Sequence, residues 1–321
     1  ASILKSFTGK TTRALINAHK GARFKLVATA TPAPNDHMEL GNHAEFLGAM
    51  TRTEMLSTFF VHDGGDTSKW RLRGHAEQKF WEWMASWAVM IRKPSDIGYS
   101  DEGYELSELR IHEHLVERGI PDGYLFQVSA KTLSDQRLAR RDTIDQRTER
   151  MAEVLNLNSP FVVWCNLNEE STLATKRLAA TQITGSDSDE HKERSMIGFS
   201  DGTIQRLVTK PELAGFGMNW QHCGQCGFLG LSHSYEQFYQ AIRRFHRFGR
   251  NGPVDAHVVI SDSEYEILAN IRRKQTDADA IMAGMASAMS EWSKKEIEQP
   301  TLSSKVYQPT KIMEVPSWLN S

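Results

Sequence analysis

Four arginines fall within eight residues of the stretch Gln240-Ala241-Ile242-Arg243-Arg244-Phe245-His246-Arg247-Phe248-Gly249-Arg250. Read as a helix, Phe238, Ile242 and Phe245 recur at i, i+4 and i+7 and form one buried stripe. Arg244 and Arg247 stand three apart on another face, flanked by Arg243. Gly249 suits a C-terminal cap, because glycine tolerates the left-handed backbone found there. A guanidinium is planar, permanently charged and matched to phosphate oxygens. Two or three on one rigid face would stabilise the charge that develops during phosphoryl transfer. On spacing alone, a solvated basic helix accounts for the segment equally well.

A second stretch carries related chemistry. In Leu213-Ala214-Gly215-Phe216-Gly217-Met218-Asn219-Trp220, Gly215 and Gly217 permit close backbone approach, and exposed N–H groups there would meet phosphate. Taken alone, the same G-x-G is an ordinary tight turn.

Both stretches need a scaffold. Phe161-Val162-Val163-Trp164-Cys165 is a continuous apolar run, the mark of a strand buried on both faces. Further strands are expected over 204–209, 226–231 and 256–260, with helices over 169–180, 190–200 and the arginine stretch. Strands alternating with helices indicate an α/β fold with a parallel sheet. Ligands of such sheets gather at the carboxyl ends of the strands, where both stretches are expected to lie.

The N-terminal third is organised differently. Residues 4–20 and 37–60 read as helical, 24–31 as a short buried strand stopped by the breakers Pro32, Pro34, Asn35 and Asp36. Residues 62–68 read as a polar loop. Residues 80–91 read as a helix whose Trp81, Trp83 and Trp87 belong to a core rather than a ligand cage. Residues 92–108 are the best candidate for a linker, and 109–116 alternate as an edge strand would. Residues 130–155 read as an exposed helix whose Arg137, Arg140, Arg141 and Arg147 are balanced by Asp135, Asp142 and Asp145. From Asp277 the chain reads as one amphipathic helix followed by a polar tail with Pro300, Pro309 and Pro316.

Composition bounds the rest. A length of 321 residues suits about two domains, and 40% hydrophobic with 24% charged residues is that of a soluble globular chain. The net charge of −2 leaves any nucleic-acid contact to local basic patches. Arg71, Arg73, Lys79, Arg92 and Lys93 are scattered basic residues that suit solvated surface or DNA-backbone contact. No apolar run approaches the ~18–20 residues of a membrane span and no leader is visible, so a cytoplasmic protein is expected. Cys223 and Cys226, after His222, have the C-x-x-C spacing of a zinc pair, but no second pair completes four ligands. His112 and His114 on one strand lack a third ligand and are expected to face solvent. No metal is therefore assigned to these groups.

Taken together, the motifs resemble superfamily 2 helicases. Residues 215–220 look like motif V, 240–250 like the arginine-finger motif VI, 161–165 like motif IV, and Thr29-Ala30-Thr31-Pro32 like motif III. The spelling is closest to Snf-type DNA translocases, and among those to helicase-like proteins of phages. The resemblance implies a RecA-like C-terminal lobe over residues 101–275, preceded over 1–100 by a mostly helical remnant of the first RecA-like lobe and followed by a C-terminal helix and tail over 276–321. It implies ATP with Mg2+ in the cleft between lobes. Arg244 and Arg247 would reach the phosphates, Gln240 would position the motif, and Gly215, Gly217, Asn219 and Arg250 would contact or couple the nucleotide. Thr29 and Thr31 would link ATP state to lobe closure, and Thr31 would touch the DNA backbone. Arg250 stands where many Snf-type proteins carry Gln.

Two expected motifs are missing from the sequence. Gly9-Lys10-Thr11 resembles a P-loop end, but position 4 is Leu where glycine is required. Asp189-Glu190 imitates the magnesium-binding acidic pair but follows a polar loop, after motif IV. The chain reads as beginning just after motif II, with a cut or processed N-terminus. It is expected to have little ATPase activity alone and to need the missing first-lobe segment or a partner chain. A non-catalytic nucleic-acid or protein binding module on a helicase lobe is the alternative. A dinucleotide enzyme is disfavoured, since no G-x-G-x-x-G follows the first strand with an acidic residue about 20 residues on.

Overall fold

The computed structural model describes residues 2–5, 9–33, 37–63, 66–117, 140–215 and 217–298. Pro34 to Asp36, Asp135, Arg137, Phe216 and the tail prolines lie outside the described residues.

The sheet-forming part contains β3 (Leu109–Val116), α5 (Ile144–Val154), β4 (Phe161–Cys165), α6 (Asn168–Leu178) and β5 (Thr181–Gln182). It continues with α7 (Asp189–Ser200), β6 (Arg206–Thr209), α8 (Pro211–Ala214), β7 (Gln225–Leu229), α9 (Tyr235–Ile242) and β8 (Val254–Ser261). Six strands line up in the order β3-β8-β7-β4-β6-β5, and every pairing is parallel. This is the expected α/β class, a parallel sheet with helices packed on both faces.

The central strands explain their own apolar runs. In β4, Phe161, Val163 and Cys165 join Met151 of α5 and Ala174 of α6 on one side. Val162 and Trp164 join Phe199 of α7 and Phe238 and Ile242 of α9 on the other. Alternation of side chains along a strand, with helices on both faces, makes every position apolar.

The N-terminal part contains α1 (Lys10–Ala18), α2 (Leu40–Leu47), α3 (Arg52–Phe59), the antiparallel hairpin β1 (Phe60–Asp63) and β2 (Asp66–Leu72), and α4 (Glu77–Ala85). The expected polar loop at 62–68 is therefore a hairpin, whose strands flank the Gly-Gly pair that suits such a turn. Thr51 starts α3 through a reciprocal capping box with Glu54. The helix expected over 80–91 stops at Ala85, and Val89 and Ile91 are exposed. Phe80, Trp81 and Met84 are buried among Leu40, Met55, Phe59 and Phe60, so the tryptophan helix is core.

The segment 24–31, expected as a buried strand, is irregular and pairs with no strand among the described residues. Phe24 and Leu26 are 85% and 88% exposed. Its apolar spelling suits a sheet interior, yet no sheet neighbour stands beside it.

One element joins the two parts. Helix α10 (Tyr265–Glu298) is a single 34-residue helix that crosses the boundary drawn near residue 275. Ile267, Leu268, Ile271 and Ala278 pack into the sheet core, whereas Ile281, Met285 and Met289 pack against α4 and its neighbours. No described helix is long and apolar enough to cross a membrane.

The histidines of the edge strand are part-exposed, as expected, and also partnered. His112 Nε2 lies 2.7 Å from Asp255 Oδ1, and His114 Nε2 lies 3.2 Å from His257 Nδ1. The register sets His112 beside His257, with the rings stacked at 4.8 Å. Among the described residues, no group of three or more His, Cys, Asp or Glu is arranged to hold a metal ion. Burial, followed by the nearby His112 and His114, pushes the His257 pKa down to about 4. Burial likewise lowers that of His114. A depressed histidine pKa favours the neutral ring in the fold, so protonation opposes folding. Stability is expected to be full above about pH 6.5 and to fall as pH drops toward the folded value of about 4. Thermal melts across that window check this, and His257→Gln should flatten the dependence.

Candidate functional site

The arginine stretch is shorter as a helix than its pattern suggests. Helix α9 ends at Ile242, and residues 243–249 form successive turns. Gly249 does take a left-handed φ of 81°, but in a turn rather than at the helix end. The apolar stripe holds: Phe238, Ile242 and Phe245 are all buried. Phe245 packs near Trp164 and Trp220, which fixes the turns to the sheet.

The turns also lie at the other end of the sheet from the one expected. Helix α9 leaves the carboxyl end of β7 and runs back across the sheet. Its C-terminal turns then bond to residues that precede three strands. Arg244 O accepts from Trp220 N at 2.9 Å, ahead of β7. His246 Nε2 lies 2.6 Å from Ser107 O, ahead of β3. Arg250 donates to Pro253 O at 3.0 Å, ahead of β8. The arginines therefore stand at the amino edge.

Each arginine has a distinct task there. Arg244 is buried; it donates to Gln240 O at 3.0 Å, Met218 O at 2.9 Å and Gln240 Oε1 at 3.2 Å. It thus ties the Gly217–Asn219 loop to α9. Burial and the neighbouring Arg247 lower its pKa to about 10, which leaves it charged at neutral pH. Arg243 lies over the Tyr239 ring, 5.3 Å from its centroid, and donates to Tyr239 Oη at 3.1 Å. Arg247 donates only through Nε, to Arg243 O at 2.8 Å. Its two terminal nitrogens have no hydrogen-bond partner among the described residues. Arg250 is spent on the carbonyls of Gln221 and Pro253 and does not line the cavity described next. In this structure the guanidinium closes a loop.

Arg243, Arg244, Arg247, Gln240 and Asn219 line one open cavity of about 470 Å³. Among the described residues, no carboxylate lines it. In the adjoining loop, Gly215 admits no other residue, because a Cβ there would sit 2.2 Å from Pro211 O. Its N–H is already taken by that carbonyl at 2.8 Å, so it is not free for phosphate as expected. Gly217 takes a φ of 81°, a conformation that glycine reaches without steric cost, and exposed Asn219 follows it into the cavity wall.

The motif III-like segment docks on α9. Thr31 is 3% exposed. Its hydroxyl donates to Glu236 Oε1 at 3.3 Å and accepts from Gln240 Nε2 at 3.5 Å. The side chain thus faces inward, toward α9. Thr29 Oγ1 accepts from Thr31 N at 3.1 Å and holds the bend; Thr29 lines the neighbouring cavity.

A second charged cluster lies inside the fold. Arg140 and Arg147, expected on an exposed salt-bridged face, are buried with Glu170 and Glu264. Arg147 Nη2 lies 2.9 Å from Glu170 Oε1, and Arg140 bridges Glu170 at 3.2 Å and Glu264 at 3.0 Å. Glu170 Oε2 also accepts from Asn166 N and Leu167 N, and Glu264 from Leu231 N and Ser261 N. The cluster thus fills the carboxyl ends of β4, β7 and β8, the crevice where a ligand was expected. Ser261-Asp262-Ser263-Glu264 has capping-box spelling, a signal that could have placed Glu264.

All three cysteines are free thiols and buried. Cys223 and Cys226 are fully buried. Burial pushes the Cys223 thiol up to about 12 and Cys226 well above its ordinary value.

No family model and no curated protein matches the sequence. Among solved structures, the C-terminal part of the Fun30 ATPase domain aligns with a TM-score of 0.35 and 15% identity, over 48% of this chain and 54% of that one. The C-terminal domain of the DEAD-box protein Dbp5 aligns with a TM-score of 0.37 and 15% identity, over 53% and 87%. A DEAD box protein from the hyperthermophile Methanococcus jannaschii aligns with a TM-score of 0.37 and 17% identity, over 54% and 40%. The chain thus spans about half the length of the first of these.

Proposed function

We propose that this chain is the arginine-bearing lobe of an ATP-driven nucleic-acid translocase or helicase of the Snf-type, phage-like branch. Its part is to bring positive charge to the phosphates of an ATP whose magnesium and P-loop contacts come from a first lobe. The observation that carries this reading is the cavity itself. Arg243, Arg244 and Arg247 converge on it with no carboxylate among the described lining residues, and none of the described residues takes the terminal nitrogens of Arg247.

The residues divide the work by what they touch. Arg247 is the group placed to meet a phosphate. Arg244 and Gln240 position it, because their bonds run to the motif V-like loop and to Thr31. Thr31 and Glu236 couple the motif III-like segment to α9, so a shift in that segment is transmitted to the arginine turns. Gly217 and Asn219 carry the same coupling toward nucleic acid. Contacts to DNA would be mainly to phosphates, and therefore salt-sensitive and sequence-tolerant.

ATP and Mg2+ would be completed only by first-lobe groups, since phosphoryl transfer needs a phosphate-cradling lysine and a magnesium carboxylate besides the arginines. The test is ATP hydrolysis, with and without duplex DNA. It compares this chain alone with the chain combined with a first lobe bearing a P-loop and an acidic pair. DNA-stimulated turnover is expected only in the combination. Magnesium-dependent turnover by the chain alone contradicts the division of labour. None in either form favours a binding module.

A further inference from the structure

The arginine cavity does not end at the arginines. A second cavity of about 460 Å³ adjoins it, and Ala30, Leu106, Tyr239, Arg243, His246 and Phe248 line both. The second is walled largely by apolar groups, including Met90, Ile91, Ile111 and Phe238. Thr29 and Gln275 add hydrogen-bonding groups to its wall, and Arg92 and Asp279 add one charge of each sign.

Phe248 stands at the junction. It follows Arg247 directly, and the residue is 43% exposed. Tyr104 meets it edge-on, with the centroids 5.9 Å apart and the planes at 72°, so the ring is braced on one side. An exposed, braced aromatic face beside fixed cations matches a ligand with two ends: one polyanionic, one flat and aromatic. Sites of this kind are mostly apolar, with a small number of placed polar groups.

We propose that the apolar cavity is the base subsite for a nucleoside triphosphate whose phosphates lie on Arg247, with Phe248 as the stacking surface. This rests on the arginine cavity being the phosphate site. It adds that the lobe selects a nucleotide over bare polyphosphate. Arg247 would supply charge without discrimination, and Phe248 would supply the preference for a base.

The test is isothermal titration of the intact chain with magnesium ATP and, separately, with inorganic tripolyphosphate. Arg247→Ala should weaken both ligands together. Phe248→Ala should weaken ATP about tenfold, the order of one lost base–aromatic stack, and leave tripolyphosphate unchanged. Phe248→Trp should keep ATP affinity. Circular dichroism of each variant reports whether the fold is kept, and the tripolyphosphate arm shows whether the cavity is intact.

The outcomes separate the two ideas. If Arg247→Ala changes neither ligand, or the unaltered chain binds neither, the phosphate reading falls and this proposal with it. If Arg247→Ala weakens both but Phe248→Ala weakens neither or both alike, the base subsite alone is wrong. If Phe248→Ala spares ATP but weakens a single-stranded oligonucleotide, the aromatic face serves a strand and the proposal is overturned.

Discussion

Replacing Glu170 with alanine is expected to lower the thermal midpoint by roughly 10 °C, from about 3–5 kcal/mol of lost stability. Glu170 is fully buried and is the carboxylate that both Arg140 and Arg147 approach. Arg140 would keep Glu264, 3.0 Å away. Arg147, itself fully buried, would keep only Thr143 Oγ1 and the carbonyl of Arg140. An unpaired guanidinium in the interior is the costly case, because its desolvation is no longer offset. The N–H groups of Asn166 and Leu167 would lose their acceptor as well. Glu169→Ala is the control one residue away. Glu169 pairs with Arg141 while both are more than half exposed, and exposed pairs contribute only about 0–1 kcal/mol. Thermal melts of the two variants should differ sharply. Equal, small shifts would contradict a structural role for the buried network.

That network also shows where the sequence stops being legible. Strand β4 could be read because both of its faces are covered, which forces five apolar residues in a row. The stripe Phe238, Ile242, Phe245 could be read because helix and following turns keep one face on the sheet. The charges around 140–147 could not. Alternating arginines and aspartates look the same whether they face water or converge on two glutamates distant in sequence. What decides is tertiary: Arg140 is paired 30 residues away with Glu170, and again with Glu264.

The arginine stretch fails in a subtler way. Its spacing promises two guanidiniums side by side on a helix. The helix stops at Ile242 because the chain turns there to meet Ser107, Trp220 and Pro253. The turns sort the arginines by depth: Arg244 inward, Arg247 outward, Arg250 onto carbonyls. Segment 24–31 fails for the opposite reason. Its spelling is that of a strand, but pairing needs a neighbour, and none of the described residues supplies one. The amphipathic pattern of α10 was legible only in part. The helix changes partner midway, from the sheet core at Ile271 to the tryptophan cluster at Met285.

The second large effect concerns turnover. In the chain combined with a P-loop-bearing first lobe, Arg247→Ala is expected to lower ATP hydrolysis by about a thousandfold or more, the usual worth of an arginine finger. The physical reason is that charge on the transferred phosphoryl group is greatest in the transition state, where a prepositioned cation counts most. Arg247 qualifies by position, since none of the described residues takes its terminal nitrogens and its Nε is anchored on Arg243 O at 2.8 Å. Arg250→Ala is the matched control. Arg250 carries the same charge three residues on, but its nitrogens already serve Gln221 O and Pro253 O. Loss of Arg250 should therefore lower stability more than turnover per folded molecule. The deciding measurement is the ATP turnover number of the combined protein on saturating duplex DNA, for the unaltered chain and for Arg247→Ala. A fall of about 10³-fold with the fold intact is the result this account predicts. Turnover that Arg247→Ala leaves unchanged would contradict it.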